Sequence, residues 1–146
     1  MRRFSLRNKW VSHLGCVALG IALCAVAWAG VGAWQDDELS DRLSGRWTLE
    51  ATPADPAVSQ VDAEYRSDGT FVVWQTRKDG SARIVEHGRW WVSGRRLVQE
   101  HASHDGRPVP RGTPVRPERL TVVRADQTLV LVWPAGFQHQ FRRAAG

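Results

Sequence analysis

The chain has 146 residues, which is the length of a single domain. Its formal charge of +5 comes almost wholly from four basic residues among the first nine, since the rest of the chain holds 16 basic and 15 acidic residues. A nearly neutral domain lacks the basic surface that binds phosphate backbones, so we expect no nucleic-acid partner.

The first element in chain order has the pattern of an export signal. The basic stretch "MRRFSLRNK" is followed by the uncharged residues 14–33. Ala27 and Ala29 provide the small side chains that a signal peptidase requires. We therefore expect a signal peptide over residues 1–29, with cleavage before Gly30.

The same segment also fits an uncleaved membrane anchor. An apolar run of this length can span a bilayer as a helix, with its basic end on the cytoplasmic side. The chain would then contact the inner membrane only through residues 10–33. Glycines in the segment and the small-residue site favour cleavage. Under either alternative, residues 36–146 lie outside the cytoplasm, in the periplasm or an equivalent extracytoplasmic compartment.

An acidic stretch, residues 30–44, is expected to form a linker that accommodates one helical turn. The folded domain is expected over residues 45–146. This domain has no cysteine, because Cys16 and Cys24 both lie in the apolar segment. A domain that enters an oxidising compartment without a disulfide must be held together by its hydrophobic core.

Beyond the linker, short runs rich in β-branched and aromatic residues alternate with turn residues, which is typical of an all-β sandwich or barrel. Asp-Gly and Ser-Gly pairs between several of the runs favour tight hairpins. Consecutive hairpins predict an eight-stranded antiparallel up-and-down barrel, which leaves no free edge strand. The predicted strands are 46–51, 61–66, 70–77, 83–92, 96–102, 118–124, 128–133 and 137–143.

The lengths of the connections predict a cup. The two long loops, residues 52–60 and 103–117, fall at the same end of an up-and-down meander. The opposite end has only tight turns. We therefore expect one open end with proline-stiffened loops and one closed end.

Several short motifs in this order resemble the small bacterial lipocalin-like barrels. A Gly45-x-Trp47 pair begins the first strand, and Arg143 ends the last one. The resemblance also rests on the motifs "DGTF" at 68–71, "GRWWV" at 88–92 and "GRRL" at 94–97. It implies a lipocalin-like fold and the non-catalytic binding of a small apolar or amphipathic ligand.

Three residues are predicted to have a structural role at the closed end. Because side chains alternate along a strand, Trp47 and Arg143 can meet where the first and last strands close the barrel. A guanidinium over an indole is a favourable cation–π contact. We interpret Gly45, Trp47 and Arg143 as parts of a plug rather than as ligand contacts.

Candidate ligand contacts lie toward the open end. Glu86 and His139 are polar residues on otherwise apolar strand faces, as expected for a pocket that orients its ligand. Phe137 and Trp90 are the candidate apolar contacts. A register shift would instead place Glu86 in solvent. If aromatic side chains fill the interior, the alternative is an envelope interaction or inhibitor module that acts through an exposed surface.

The sequence predicts no enzyme, no cofactor and no metal site. It contains no recognisable nucleophile motif, no phosphate-binding glycine loop and no evident carboxylate pair. His101 and His104 form a His-x-x-His pattern, but residues three apart on an extended strand face opposite ways. Metal binding there would need a turn. The expected partners are a small apolar ligand or an envelope protein.

Overall fold

A computed structural model describes residues 35–145 of the protein. The predicted signal or anchor, residues 1–29, and the first part of the predicted linker lie outside the described residues. A helix over residues 35–43 comes first. Nine strands follow: β1 (Gly45–Leu49), β2 (Val58–Tyr65), β3 (Thr70–Arg77), β4 (Ala82–Ser93), β5 (Arg96–His104), β6 (Arg107–Pro108), β7 (Glu118–Ala125), β8 (Thr128–Val132) and β9 (Gln138–Arg143).

Eight of these strands form a closed antiparallel up-and-down barrel, which confirms the predicted fold class. The barrel closes because β1 pairs with β9 and β4 pairs with β5. The short strand β6 pairs only with the end of β5 and is an addition to the barrel wall. This architecture is consistent with a lipocalin-like fold. Among residues 35–145, no helix has the length and apolar character needed to cross a bilayer.

The predicted strand positions agree with the observed ones apart from their ends. β3 has the predicted bounds, whereas β2 begins at Val58 and β5 continues to His104. The early start of β2 shortens one predicted long loop. The extension of β5 brings His104 into the barrel wall.

The helix over residues 35–43 is longer than the single turn expected in the linker, and it packs against the barrel. Leu43 is fully buried in the core, and Leu39 packs against the same cluster. The Asp36 carboxylate accepts hydrogen bonds from the backbone amides of Gly94 and Arg95, at 3.0 and 2.9 Å. The helix is therefore tied to the β4–β5 turn at the closed end.

The residues predicted to plug the closed end meet there. Trp47 is fully buried, and its indole N–H donates to the carbonyl of Leu43 at 2.8 Å. The guanidinium carbon of Arg143 lies 4.2 Å from the centre of the Trp47 ring. Gly45 has a φ of 123°, and a Cβ at this position would lie 2.9 Å from a guanidinium nitrogen of Arg143. Glycine is thus required where the chain enters the barrel.

Large side chains fill the interior above this plug. Phe71 and Tyr65 are buried with ring centroids 6.1 Å apart. Trp90 packs edge-on against Tyr65 at 5.4 Å, and its indole N–H donates to the carbonyl of Arg66. The core therefore occupies the closed half of the barrel, and the open half has free volume.

Candidate functional site

A cavity of about 670 Å³ occupies the open half of the barrel. It lies at the predicted open end, since its walls include residues of the β5–β7 and β8–β9 connections. The other predicted long loop, which the structure places at residues 50–57, does not contribute to its walls. Most of its lining side chains are aliphatic or aromatic. They are Leu49, Val61, Ala63, Tyr65, Val73, Val85, Val109, Val115, Leu131, Trp133, Phe137 and Phe141.

Three of the four predicted ligand-contact residues line this cavity. Glu86 and His139 both lie on its wall, and Phe137, with 49% of its surface exposed, lies at its mouth. The structure does not bring Trp90 to the cavity wall. Trp90 is 4% exposed and belongs to the packed core beneath. An indole N–H bonded to a backbone carbonyl is a structural arrangement, because its only donor is already used.

One wall of the cavity is an aromatic stack. The Trp133 and Phe137 rings are stacked with centroids 5.1 Å apart, and His139 lies 4.7 Å from Trp133. His139 also lies 6.3 Å from Phe141, deeper in the barrel. A planar or aliphatic molecule that enters the cavity would contact ring faces along this side.

Regular alternation along β4 from the buried Trp90 through Gly88 places Glu86 on the opposite wall, and a β-bulge lies directly before it in the chain. Val73 pairs with Glu86, but the next residue of β3, Trp74, pairs with Ile84, so Val85 is an extra residue. The bulge interrupts the alternation of side chains. Regular alternation would put Ile84 on the same face as Glu86, but Ile84 is 55% exposed and does not line the cavity.

A second β-bulge, in β5, brings His101 and His104 to the same side. Gly88 pairs with His101, whereas His87 pairs with Ser103, so Ala102 is the extra residue. The expectation that residues three apart face opposite ways was therefore wrong here, because the bulge shifts the alternation by one residue. A Cβ on Gly88 would lie 2.0 Å from the Glu100 carbonyl oxygen, so this close approach of β4 and β5 requires glycine.

The bulge in β5 and the inward face of β4 together assemble a cluster of imidazoles and carboxylates. Nδ1 of His104 lies 3.2 Å from one oxygen of Glu86, and Nδ1 of His101 lies 3.7 Å from the other. Nε2 of His101 lies 3.7 Å from the carboxylate of Glu118 at the start of β7. These four residues line the same cavity. The sequence shows the His-x-x-His pattern, but nothing in it indicates the bulge or the position of Glu118 beside His101.

The cluster leaves one buried nitrogen without a partner. In the part of the chain that the structure describes, Nδ1 of His101 is buried and has no hydrogen-bond partner. Its distance of 3.7 Å to Glu86 is too long for a hydrogen bond. Phe71 covers the His101 ring edge-on at 5.2 Å, which keeps water from that face. A buried polar atom without a partner is uncommon and requires an explanation.

A buried phenol forms the floor of the cavity. Tyr65 is 3% exposed, and its hydroxyl accepts a hydrogen bond of 2.8 Å from the side-chain amide of Gln99. Burial, together with the nearby negative charge of Glu86, raises the pKa of Tyr65 well above its usual range. The floor is therefore neutral, and the carboxylates that line the cavity, Glu86, Asp105 and Glu118, belong to its walls.

The outer wall contains a separate polar arrangement around Trp74. Arg46 lies 4.6 Å over the Trp74 ring and donates a hydrogen bond of 2.9 Å to Asp62. Burial would raise the pKa of Asp62, but hydrogen bonds donated by Thr48, Arg46 and Gln60 outweigh it and hold the pKa below its usual value. Trp74 is thus covered by an arginine side chain.

Comparison with known proteins assigns the chain to no family. The sequence matches no protein-family model, and a search of curated proteins gives no significant match.

Proposed function

We propose that the protein is an exported lipocalin-like domain that binds a small apolar or amphipathic molecule in the cavity at its open end, without catalysing a reaction. The observation that carries this proposal is the cavity itself. A volume of about 670 Å³ is within the range of small-molecule sites, and its walls are mostly apolar. Burial of apolar ligand surface against such walls would supply the main driving force.

The polar groups of the cavity favour an amphipathic ligand. Polar side chains also line the cavity, namely Gln75, Glu86, Gln99, His101, His104, Asp105, Arg116, Glu118 and His139. Polar groups set in a largely apolar wall orient a ligand and give specificity. A molecule with an apolar body toward Phe141 and a polar head near the rim would satisfy both parts of the cavity.

The lipocalin-like assignment is supported by the closed end. A Gly45-x-Trp47 pair under the last arginine of the barrel, Arg143, has the arrangement that the resemblance implies. Residues 45–146 would form the ligand-binding domain. The helix over residues 35–43 would belong to its closed end, so the true linker would be shorter than residues 30–44.

Export rests on the pattern of residues 1–33. We propose that the signal is cleaved before Gly30 and that the domain resides in the periplasm or an equivalent compartment. Intact-mass measurement of the protein from its host would test this proposal. A mature N-terminus at Gly30 is expected, whereas recovery of the uncleaved chain in the membrane fraction would favour an anchor.

A second candidate is an envelope interaction module that acts through the outer surface. The specific observation that favours it is the exposure of apolar side chains outside the barrel. Trp91 is 40% exposed, and Ile84 and Val123 are 55% and 63% exposed. Exposed apolar groups of this size mark interaction surfaces when they form a contiguous patch.

Binding of the amphipathic fluorophore 1-anilinonaphthalene-8-sulfonate separates the two candidates. The variant Val73→Trp places an indole inside the cavity, whereas the control Val123→Trp places one on the exposed outer wall. We expect saturable binding to the wild-type protein and to the control, and roughly tenfold weaker binding to Val73→Trp, equivalent to about 1.4 kcal/mol. Equal binding to all three proteins, with native circular dichroism, would contradict the cavity proposal.

Native mass spectrometry of the protein from its host complements this measurement. Repeated recovery of a small molecule with the wild-type protein is expected, with less recovered from Val73→Trp. Recovery of an associated protein that is lost on Trp91→Ser would instead support the interaction module.

A further inference from the structure

We propose that Glu86, His101 and His104 form a binding site for a divalent transition-metal ion, with Zn²⁺ as the best match. One ligand atom from each of these side chains lies within 4.8 Å of the others. The inference does not depend on the proposed ligand-binding function, because it concerns the metal ion alone.

The types of ligand favour zinc over the hard cations. Zn²⁺ binds imidazole nitrogen and carboxylate oxygen at about 2.0–2.2 Å, whereas Ca²⁺ and Mg²⁺ prefer all-oxygen surroundings. Two histidines and one glutamate match the three protein ligands found at open zinc sites. A fourth position, facing the cavity, would be left for water or an anionic group.

The distances are close to those that a tetrahedral ion needs. Bonds of about 2.0–2.1 Å imply ligand atoms about 3.4 Å apart. Nδ1 of His104 lies 3.2 Å from one oxygen of Glu86, and Nδ1 of His101 lies 3.7 Å from the other. One ligand atom from each of the three residues lies within 4.8 Å of the others. Small side-chain rotations would therefore complete the site, without movement of the strands.

The unpartnered nitrogen of His101 points to the same conclusion. Its Nδ1 is buried, has no hydrogen-bond partner and faces Glu86. A metal ion would take the lone pair of this nitrogen and remove the cost of burying it. Ion pairs between protonated histidines and the glutamates are the metal-free alternative.

Glu118 supports the assignment as a positioning residue. Its carboxylate lies 3.7 Å from Nε2 of His101, on the side of the ring opposite Nδ1. Histidine ligands commonly donate their second ring N–H to a carboxylate, which fixes the tautomer and strengthens the metal bond. The geometry thus points Nδ1 toward the metal position and leaves Nε2 facing Glu118, which a small side-chain shift would bring within hydrogen-bond distance.

The β-bulge in β5 explains how His104 joins the site. A regular strand would turn His104 away from His101. Bulges often re-aim side chains next to functional sites. Here the bulge at Ala102 turns His104 to the side of His101, and Glu86 faces both histidines from β4 by regular alternation.

Isothermal titration calorimetry of the untagged full chain with Zn²⁺ tests the proposal. We expect one Zn²⁺ per chain, and affinity weakened roughly tenfold or more in Glu86→Gln, His101→Gln and His104→Gln. His104 is 70% exposed, so its replacement leaves folding intact even if the other two variants are unstable. The control is His87→Gln, which replaces an exposed histidine of β4 outside the cluster. Because Nδ1 of His87 lies 2.6 Å from the Ser103 hydroxyl beside the β5 bulge, the free energy of unfolding of this variant is measured alongside, to show that the bulge is kept.

Two spectroscopic measurements make the test specific. Bound Co²⁺ is expected to show the intense visible absorption of a four-coordinate ion, which should be absent in His104→Gln. The ¹⁵N shifts of zinc-loaded protein should show His101 as the Nε2–H tautomer, and Glu118→Gln should weaken Zn²⁺ binding by about 10–100-fold.

Absence of saturable Zn²⁺ binding to the folded wild-type protein would overturn the proposal and favour the ion pairs. Binding that is equally strong in His104→Gln, or that is lost in His87→Gln, would also overturn it. Because Zn²⁺ is the only ligand added, failure of the metal site is distinguishable from failure of the fluorophore to enter the cavity.

Discussion

The two ends of the barrel differ in how completely their buried polar groups are hydrogen-bonded. At the closed end, the Trp47 indole N–H donates to Leu43, and the Arg143 guanidinium donates to the carbonyls of Ser44 and Arg42 at 3.1 and 2.7 Å. At the open end, a buried nitrogen of His101 has no partner within the described residues. The closed end is saturated with hydrogen bonds, and the open end is not.

This difference indicates that the closed end mainly stabilises the fold, whereas the open end holds the candidate binding site. A saturated, fully packed end contributes to folding and offers no free group to a ligand. An end with free volume and incompletely paired polar groups contributes less stability, but it can bind an ion or a molecule. Functional sites are the places where local packing rules are expected to be broken.

Replacement of one aromatic residue at each end gives the largest expected contrast. Trp47→Ala removes a fully buried indole and should lower the free energy of unfolding by about 3–5 kcal/mol. Phe137→Ala removes a half-exposed ring and should cost less than about 1 kcal/mol. Urea denaturation followed by circular dichroism measures both values. Similar losses for the two variants would remove the distinction between the ends.

A pair of glycine substitutions tests the closed end with a smaller expected effect. Gly45→Ala adds a Cβ 2.9 Å from Arg143 at a φ of 123°, a conformation that non-glycine residues rarely adopt. The matched control is Gly80→Ala, which also has a positive φ but has no atom within 4 Å of the added Cβ.

We expect Gly45→Ala to lower the unfolding free energy by about 1–3 kcal/mol, through strain and displacement of Arg143. Gly80→Ala should lower it by only about 1 kcal/mol, from the backbone alone. Thermal and urea denaturation measure the difference. Equal losses would mean that the contact with Arg143 adds nothing to the backbone effect.

The closed end could be predicted from the sequence because it obeys simple rules. Side-chain alternation in β1 and β9 is regular, so counting residues places Trp47 and Arg143 at the barrel closure. Tight turns with Asp-Gly or Ser-Gly pairs gave the strand order. The helix over residues 35–43 was underestimated, because its acidic composition suggested a solvated linker, although Leu39 and Leu43 are spaced to face the core.

The open end could be predicted only in part. Glu86, His139 and Phe137 were found because they stand out on apolar strands. Counting residues to assign side chains to strand faces failed at Val85 and Ala102. Each is the extra residue of a β-bulge, and neither residue type indicates a bulge. Glu118 gave no signal, because its position beside His101 depends on the pairing of β7 with β5, which is set by the whole barrel.

The smallest effect is expected from Asp62→Asn, which should lower the free energy of unfolding by an amount on the order of 1 kcal/mol. The Asp62 carboxylate is buried in the outer wall and, like the polar groups of the closed end, is hydrogen-bonded. Its folded-state pKa is lowered, so its stabilisation is complete above the unfolded-state pKa of about 3.9 and is lost as the pH falls through the folded-state value. Urea denaturation at neutral pH and below about pH 4 should therefore show wild type and Asp62→Asn converging toward acid. If the unfolding free energies of wild type and Asp62→Asn change in parallel with pH, the hydrogen bonds to Asp62 do not favour its charged form. The complete hydrogen bonding of the closed end would then not extend into the outer wall.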